Sequence, residues 1–77
     1  MDKSALLKSE LIGLKVKVLG TRIEGGIVDE TKNMLIIEHK GRKKRIIKSN
    51  NVFEFKGIKI DGKSLIGRSE ERIKKTW

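Results

Sequence analysis

Along this chain apolar and polar positions alternate in short bursts between turn formers, which is the period of strands rather than helices. Leu14, Val16 and Val18 alternate with Lys15 and Lys17, predicting a half-buried strand. Gly25-Gly26 breaks the chain, and Ile27-Val28 opens the next strand. Asp29-Glu30-Thr31-Lys32-Asn33 reads as a turn, because Asp and Asn side chains bond to their own neighbouring backbone. Met34-Leu35-Ile36-Ile37 is apolar at both parities, the pattern of a strand covered on both faces. Lys40-Gly41 is a tight turn into Arg42–Ile47, and Ser49-Asn50-Asn51 is the next turn. Residues 52–60 read as one strand with a fault: Phe53 and Phe55 share one parity, Ile58 and Ile60 the other, and Gly57 marks a bulge or sharp bend between them. Asp61-Gly62 signals a hairpin into a last short strand at Leu65-Ile66. Helical patterns occur only at the ends. Residues 4–12 carry Leu6, Leu7 and Leu11 behind a cap at Ser4 or Asp2, with Gly13 at the exit. Ser69 caps a last helix with Glu70-Glu71 at its positive end and Lys74-Lys75 at its negative end.

Many short strands with turns between them predict a sandwich or barrel. A chain of 77 residues makes one domain, residues 1–77, with too few core residues for two full sheets. The expected fold is therefore all-β: a small, strongly bent antiparallel Sm-like or SH3-like barrel of about six strands. Short helices flank it, and closure of the sheet on itself is expected to remove exposed edges.

Charge changes the picture from fold to partner. The net charge is +9, and it is one-sided. Residues 1–39 are neutral, with Lys3, Lys8, Lys15, Lys17, Arg22 and Lys32 against Asp2, Glu10, Glu24, Asp29, Glu30 and Glu38. The whole excess lies in residues 40–77, the footprint of a polyanion-binding surface. Its densest part is Lys40, Arg42, Lys43, Lys44, Arg45 and Lys48: six of nine residues basic and none acidic. A core strand cannot bury charges at both parities, so this segment is expected to project as a hairpin tip and straddle a phosphate backbone. The plainer reading is an edge strand charged against aggregation. Lys56, Lys59, Lys63 and Arg68 extend the patch, and Lys15 and Lys17 are further candidate contacts.

The scarce aromatics, Phe53, Phe55 and Trp77, disfavour base stacking and favour recognition of RNA by phosphate, 2′-hydroxyl and shape. The absence of cysteine excludes disulfides and thiolate metal sites. His39 stands beside Glu38, but adjacent strand residues face opposite sides, so the pair reads as surface rather than catalytic. No catalytic residues and no bound metal or cofactor are expected. No apolar run approaches a membrane span, and a cytoplasmic location without membrane contact is expected. The apolar Leu6, Leu7, Ile73 and Trp77 near the ends are candidates for an interface with a second protein.

Three segments resemble a known family, that of protein component 1 of archaeal ribonuclease P, related to a subunit of the eukaryotic nuclear enzyme. They are residues 10–16 (Glu10 to Val16), residues 26–37 (Gly26 to Ile37) and residues 62–75 (Gly62 to Lys75), the middle one being the most specific. Ser69 stands where that family often has proline, and both suit a helix start. The resemblance implies an Sm-like barrel and a non-catalytic subunit of the ribonucleoprotein that removes the 5′ leader of precursor tRNA. It implies that the RNA carries the active site and its magnesium ions, that the chain meets precursor tRNA only indirectly, and that it pairs with a zinc-ribbon subunit, component 4. Two other readings remain open: a ribosomal or Sm-like RNA-binding protein outside ribonuclease P, and a protein-interaction module whose charge is incidental.

Overall fold

The computed structural model describes residues 10–67. Six strands follow in chain order: β1 (Lys15–Val18), β2 (Glu24–Glu30), β3 (Met34–His39), β4 (Arg42–Ile47), β5 (Val52–Phe55) and β6 (Ile58–Asp61). A 3-10 turn, Gly62–Leu65, comes after them. All pairings are antiparallel, and the order across the sheet is β4-β3-β2-β1-β5-β6. The all-β reading is correct. The expected closure is not: β4 and β6 are the two edges of an open sheet. The predicted terminal helices fall largely on residues 1–9 and 68–77, outside the described residues; Glu10 to Ile12, which the first was to include, are not helical.

Alternation places the core as read. Val16 and Val18 of β1, Ile27 of β2, Leu35 and Ile37 of β3, Phe53 and Phe55 of β5 and Ile60 of β6 are buried in one cluster, with Leu11 and Leu65 at its ends. Each such side chain contributes about 1.5–3 kcal/mol by leaving water. A single cluster drawing on β3 and β6, from opposite halves of the sheet, requires the sheet to bend strongly. Two features of β2 allow this. The register slips between Ile27 and Asp29, a bulge at Val28 that increases local twist. At Gly25 the sheet folds so tightly that a Cβ there would collide with the Glu38 carbonyl. Gly25-Gly26 is thus no chain break but the hinge of a continuous strand.

Other expectations are corrected in the same way. Asp29 and Glu30 belong to β2, and the turn is confined to residues 31–33. Residues 52–60 are a hairpin rather than one faulted strand. Lys56 and Gly57 take φ values of 50° and 86°, which makes a two-residue turn of the kind that matches strand twist. Lys40 and Gly41 do the same between β3 and β4, with φ of 50° and 77°, as read. Asp61-Gly62 is not a hairpin: the Asp61 carboxylate accepts the Lys63 amide and starts the 3-10 turn, which takes Leu65 instead of a last strand. β3 is covered on one face only, since Met34 and Ile36 are half-exposed.

Candidate nucleic-acid interface

The basic run divides in the structure. Arg42, Lys43, Lys44 and Arg45 form the exposed part of β4, an edge strand. Pairing with β3 runs along its whole length: Met34 opposite Ile47, Leu35 opposite Ile46, Ile36 opposite Arg45, Ile37 opposite Lys44, Glu38 opposite Lys43 and His39 opposite Arg42. The segment is therefore not a hairpin tip projecting beyond the sheet but the sheet's own rim. An edge strand solves the same problem, since neither of its faces need be covered. Lys40 is exposed at the tip of the β3–β4 turn.

Lys48 does not belong to this surface. It was expected among the RNA contacts and is fully buried. Its Nζ donates to Glu30 Oε2 at 2.8 Å, to the Thr31 and Gly67 carbonyls at 2.8 Å each, and to the Lys32 carbonyl at 3.3 Å. Glu30, the partner, is also buried. The Lys48 amide donates to the Asn33 carbonyl and the Gly67 amide to the Lys32 carbonyl, both at 2.8 Å. One ammonium thus joins the end of β2, the β2–β3 turn, the exit of β4 and the segment after the 3-10 turn. A cation surrounded by oxygens in the interior has no capacity left for phosphate. Parity carries a signal for this: Lys48 shares the phase of Ile46, which packs on the core. Its partner Glu30 gives none, because the Val28 bulge resets the phase of β2.

The remaining candidates lie on the outer face of the sheet or in turns. Across that face Lys15 stands opposite Gly26, Gly26 opposite Glu38, and Glu38 opposite Lys43. A parallel row places Lys17 between Glu24 and Glu54, with Lys59 beyond Glu54. A third sets Asp29, Ile36 and Arg45 side by side around a shallow depression of about 410 Å³, rimmed also by Val28 and Lys43. Lys63 is exposed in the 3-10 turn. Arg68, Leu6, Leu7, Ile73 and Trp77 lie outside the described residues.

His39 is half-buried at the end of β3. Its Nδ1 lies 2.9 Å from the Glu24 carbonyl oxygen, a contact that fastens the end of β3 to the start of β2. Among the described residues no group of three His, Asp or Glu side chains is placed to hold a metal ion. No helix among them is long and apolar enough to cross a membrane. Phe53 and Phe55 are both core.

Known proteins are similar over nearly the whole chain. The family described as Ribonuclease P/MRP, subunit p29, matches residues 4–75. Ribonuclease P protein component 1 of Methanocaldococcus jannaschii is 48% identical over 91% of this chain and 85% of its own length. The protein of the same name from Pyrococcus furiosus is 40% identical over the whole of this chain and 69% of its own length. That from Pyrococcus abyssi is 44% identical, again over the whole chain and 68% of its own length.

Proposed function

The chain belongs to the ribonuclease P/MRP subunit p29 family, and on that premise we propose that it binds the ribonuclease P RNA through β4 and assists removal of the 5′ leader from precursor tRNA. As a ribonuclease P protein subunit it works in a complex with that RNA and with other protein subunits. The observation that carries the binding reading is the rim itself. Arg42, Lys43, Lys44 and Arg45 are consecutive and all exposed on an edge strand. Protection against edge-to-edge aggregation needs fewer charges than this. Arginine grips a phosphate bidentately and lysine neutralises it as a point charge.

On this reading the chemistry belongs to the RNA and its magnesium ions. The chain supplies charge and shape, and contacts precursor tRNA only through the assembled particle. Its own described residues offer no carboxylate cluster for a metal. The proposed protein partner is the zinc-ribbon subunit, component 4, and the proposed location is the cytoplasm. A ribosomal role or a purely protein-binding role gains nothing from the relatives.

The test has two parts. Reconstitution of precursor-tRNA cleavage with and without this chain should show that efficient cleavage depends on it, while the chain alone cleaves nothing. In a binding titration against the RNA at several salt concentrations, changing Arg42, Lys43, Lys44 and Arg45 together to Gln should flatten the salt slope by roughly two to four units, at about 0.7–0.9 per phosphate contact. An unchanged slope in a folded variant would remove β4 from the interface.

A further inference from the structure

We infer that the RNA-facing surface is one flank of β4, the flank on the core side of the sheet, and that Arg42 and Lys44 rather than Lys43 and Arg45 make its phosphate contacts. This rests on the reading that β4 binds RNA, and goes on to assign the side.

The assignment follows from register. Residues directly opposite in an antiparallel pair point to the same side of the sheet. Leu35 and Ile37 are buried in the core, so Ile46 and Lys44, opposite them, take the core side. Ile46 is half-buried and packs on the core, as this requires. Arg42, two residues from Lys44, lies on the same flank. Both cations are nevertheless exposed, at the edge of the sheet where the core cluster stops at β3 and Ile46. Their cross-strand neighbours are His39 and Ile37, neither of them a carboxylate.

The other flank differs. Lys43 stands opposite Glu38, and Arg45 shares its row with Asp29. Over the whole outer face Lys15, Lys17, Lys43, Arg45 and Lys59 are interleaved with Glu24, Asp29, Glu38, Glu54 and Asp61, five cations against five carboxylates. A polyanion approaching that face meets alternating signs and almost no net field. Approaching the core-side flank, it meets Arg42 and Lys44 with no carboxylate facing either across the strand pair, and a local excess of one sign attracts a polyanion. Arg42 and Lys44 are about 6.6–6.8 Å apart along the strand, a spacing that suits neighbouring phosphates of one strand. The ligand recognised there is the backbone of RNA, not its bases, since Phe53 and Phe55 are buried and offer no stacking platform.

The experiment compares two double variants of the full chain, R42Q/K44Q and K43Q/R45Q, in salt-dependent titrations against a transcript of the ribonuclease P RNA. Both remove the same charge from the same strand. R42Q/K44Q should flatten the slope by about 1.4–1.8 units, two contacts' worth, and K43Q/R45Q by less than half of that. The charge-conserving R42K/K44R should keep the wild-type slope, which shows that a loss in R42Q/K44Q is electrostatic and not misfolding. Equal slopes in the two doubles, or a larger loss in K43Q/R45Q, would overturn the assignment while leaving β4 as the interface. If neither double changes the slope, β4 does not bind RNA and the underlying reading fails with it.

Discussion

Lys44 and Lys48 stand four residues apart in one basic run, on the same parity, and meet opposite fates. Lys44 is exposed on a rim with an isoleucine opposite it. Lys48 is buried against a carboxylate and three carbonyls. The difference lies not in either residue but in which segments reach it. Lys44 lies on the edge strand, exposed beyond the buried Ile37. At Lys48 the β2–β3 turn and the segment around Gly67 converge and replace the ammonium's water shell with oxygens. A count of cations along a chain therefore overstates its binding surface wherever one of them is turned inward to join distant segments.

The sharpest break in this comparison is to remove the inward cation. Lys48→Met should take the ammonium from the buried Glu30 carboxylate and from the Thr31 and Gly67 carbonyls, while the Lys32 carbonyl keeps the Gly67 amide. Losing one partner of a buried pair costs about 3–5 kcal/mol, and about 1 kcal/mol moves the melting temperature of a domain this size by roughly 4–8 °C. A thermal melt should show a drop of well over 10 °C or outright failure to fold. Glu30→Gln, which keeps the shape and a hydrogen-bond acceptor, should cost less. A Lys48→Met melt within a few degrees of wild type would mean that the cluster contributes no stability. A smaller loss comes from the backbone side: a Cβ on Gly62 would run into the Lys48 and Asn51 carbonyls. Gly62→Ala should therefore cost about 1–3 kcal/mol, the range for forcing extra volume into a packed site.

How much of this the sequence discloses depends on range. β1, β3, β4 and the Lys40-Gly41 turn are legible because alternation and turn chemistry act between near neighbours. The phase slip at Gly57 is visible too. Its meaning is not, because a bulge and a two-residue turn leave the same mark in the pattern, and the choice depends on whether β6 finds β5 as a partner. Gly25-Gly26 looks like a break because glycine pairs usually are; only contact with β3, at the Glu38 carbonyl, shows Gly25 to be a close approach inside a strand. Asp61-Gly62 carries the composition of a hairpin, but no strand follows for it to join. The candidate site is legible as a stretch and not as a side. Which face Lys43 and Lys44 take, and that Glu38 stands opposite one and Ile37 opposite the other, is set by register with β3. The Lys48–Glu30 pair spans 18 residues of chain across a bulge, and no local pattern announces it.

A weaker effect refines the contrast between the two flanks of β4. If Glu38 tempers Lys43, the two should be coupled in stability as well as in binding. A double-mutant cycle with Glu38→Gln and Lys43→Gln should give a coupling of about 0.2–1 kcal/mol, the range for opposite charges facing each other across two strands. The same cycle between Glu38 and Lys44, on opposite sides of the sheet, should give a smaller value. Equal couplings would show that Glu38 acts on β4 as a whole and not on one flank.

The smallest effect on stability is expected from the largest change in charge. Replacing Arg42, Lys43, Lys44 and Arg45 with Gln lowers the net charge from +9 to +5. All four side chains are exposed, and surface substitutions of this kind usually stay within about 0.5 kcal/mol each. Two terms oppose each other. The variant loses the attractions of Lys43 to Glu38 and of Arg45 to Asp29, and gains relief from repulsion among four adjacent cations. The repulsion acts over six pairs and the attraction over two, so relief should dominate at low salt. The variant should then melt at or slightly above the wild-type temperature in about 0.01 M salt, where the screening length is about 30 Å, and the gap should close near 1 M, where it is about 3 Å. The melts need dilute protein, because an edge strand without its charges is freer to pair with another copy. A loss of more than about 2 kcal/mol, the summed allowance for four surface changes, would place part of this strand's charge in the fold, alongside Lys48, and would erase the distinction between the two parts of the run.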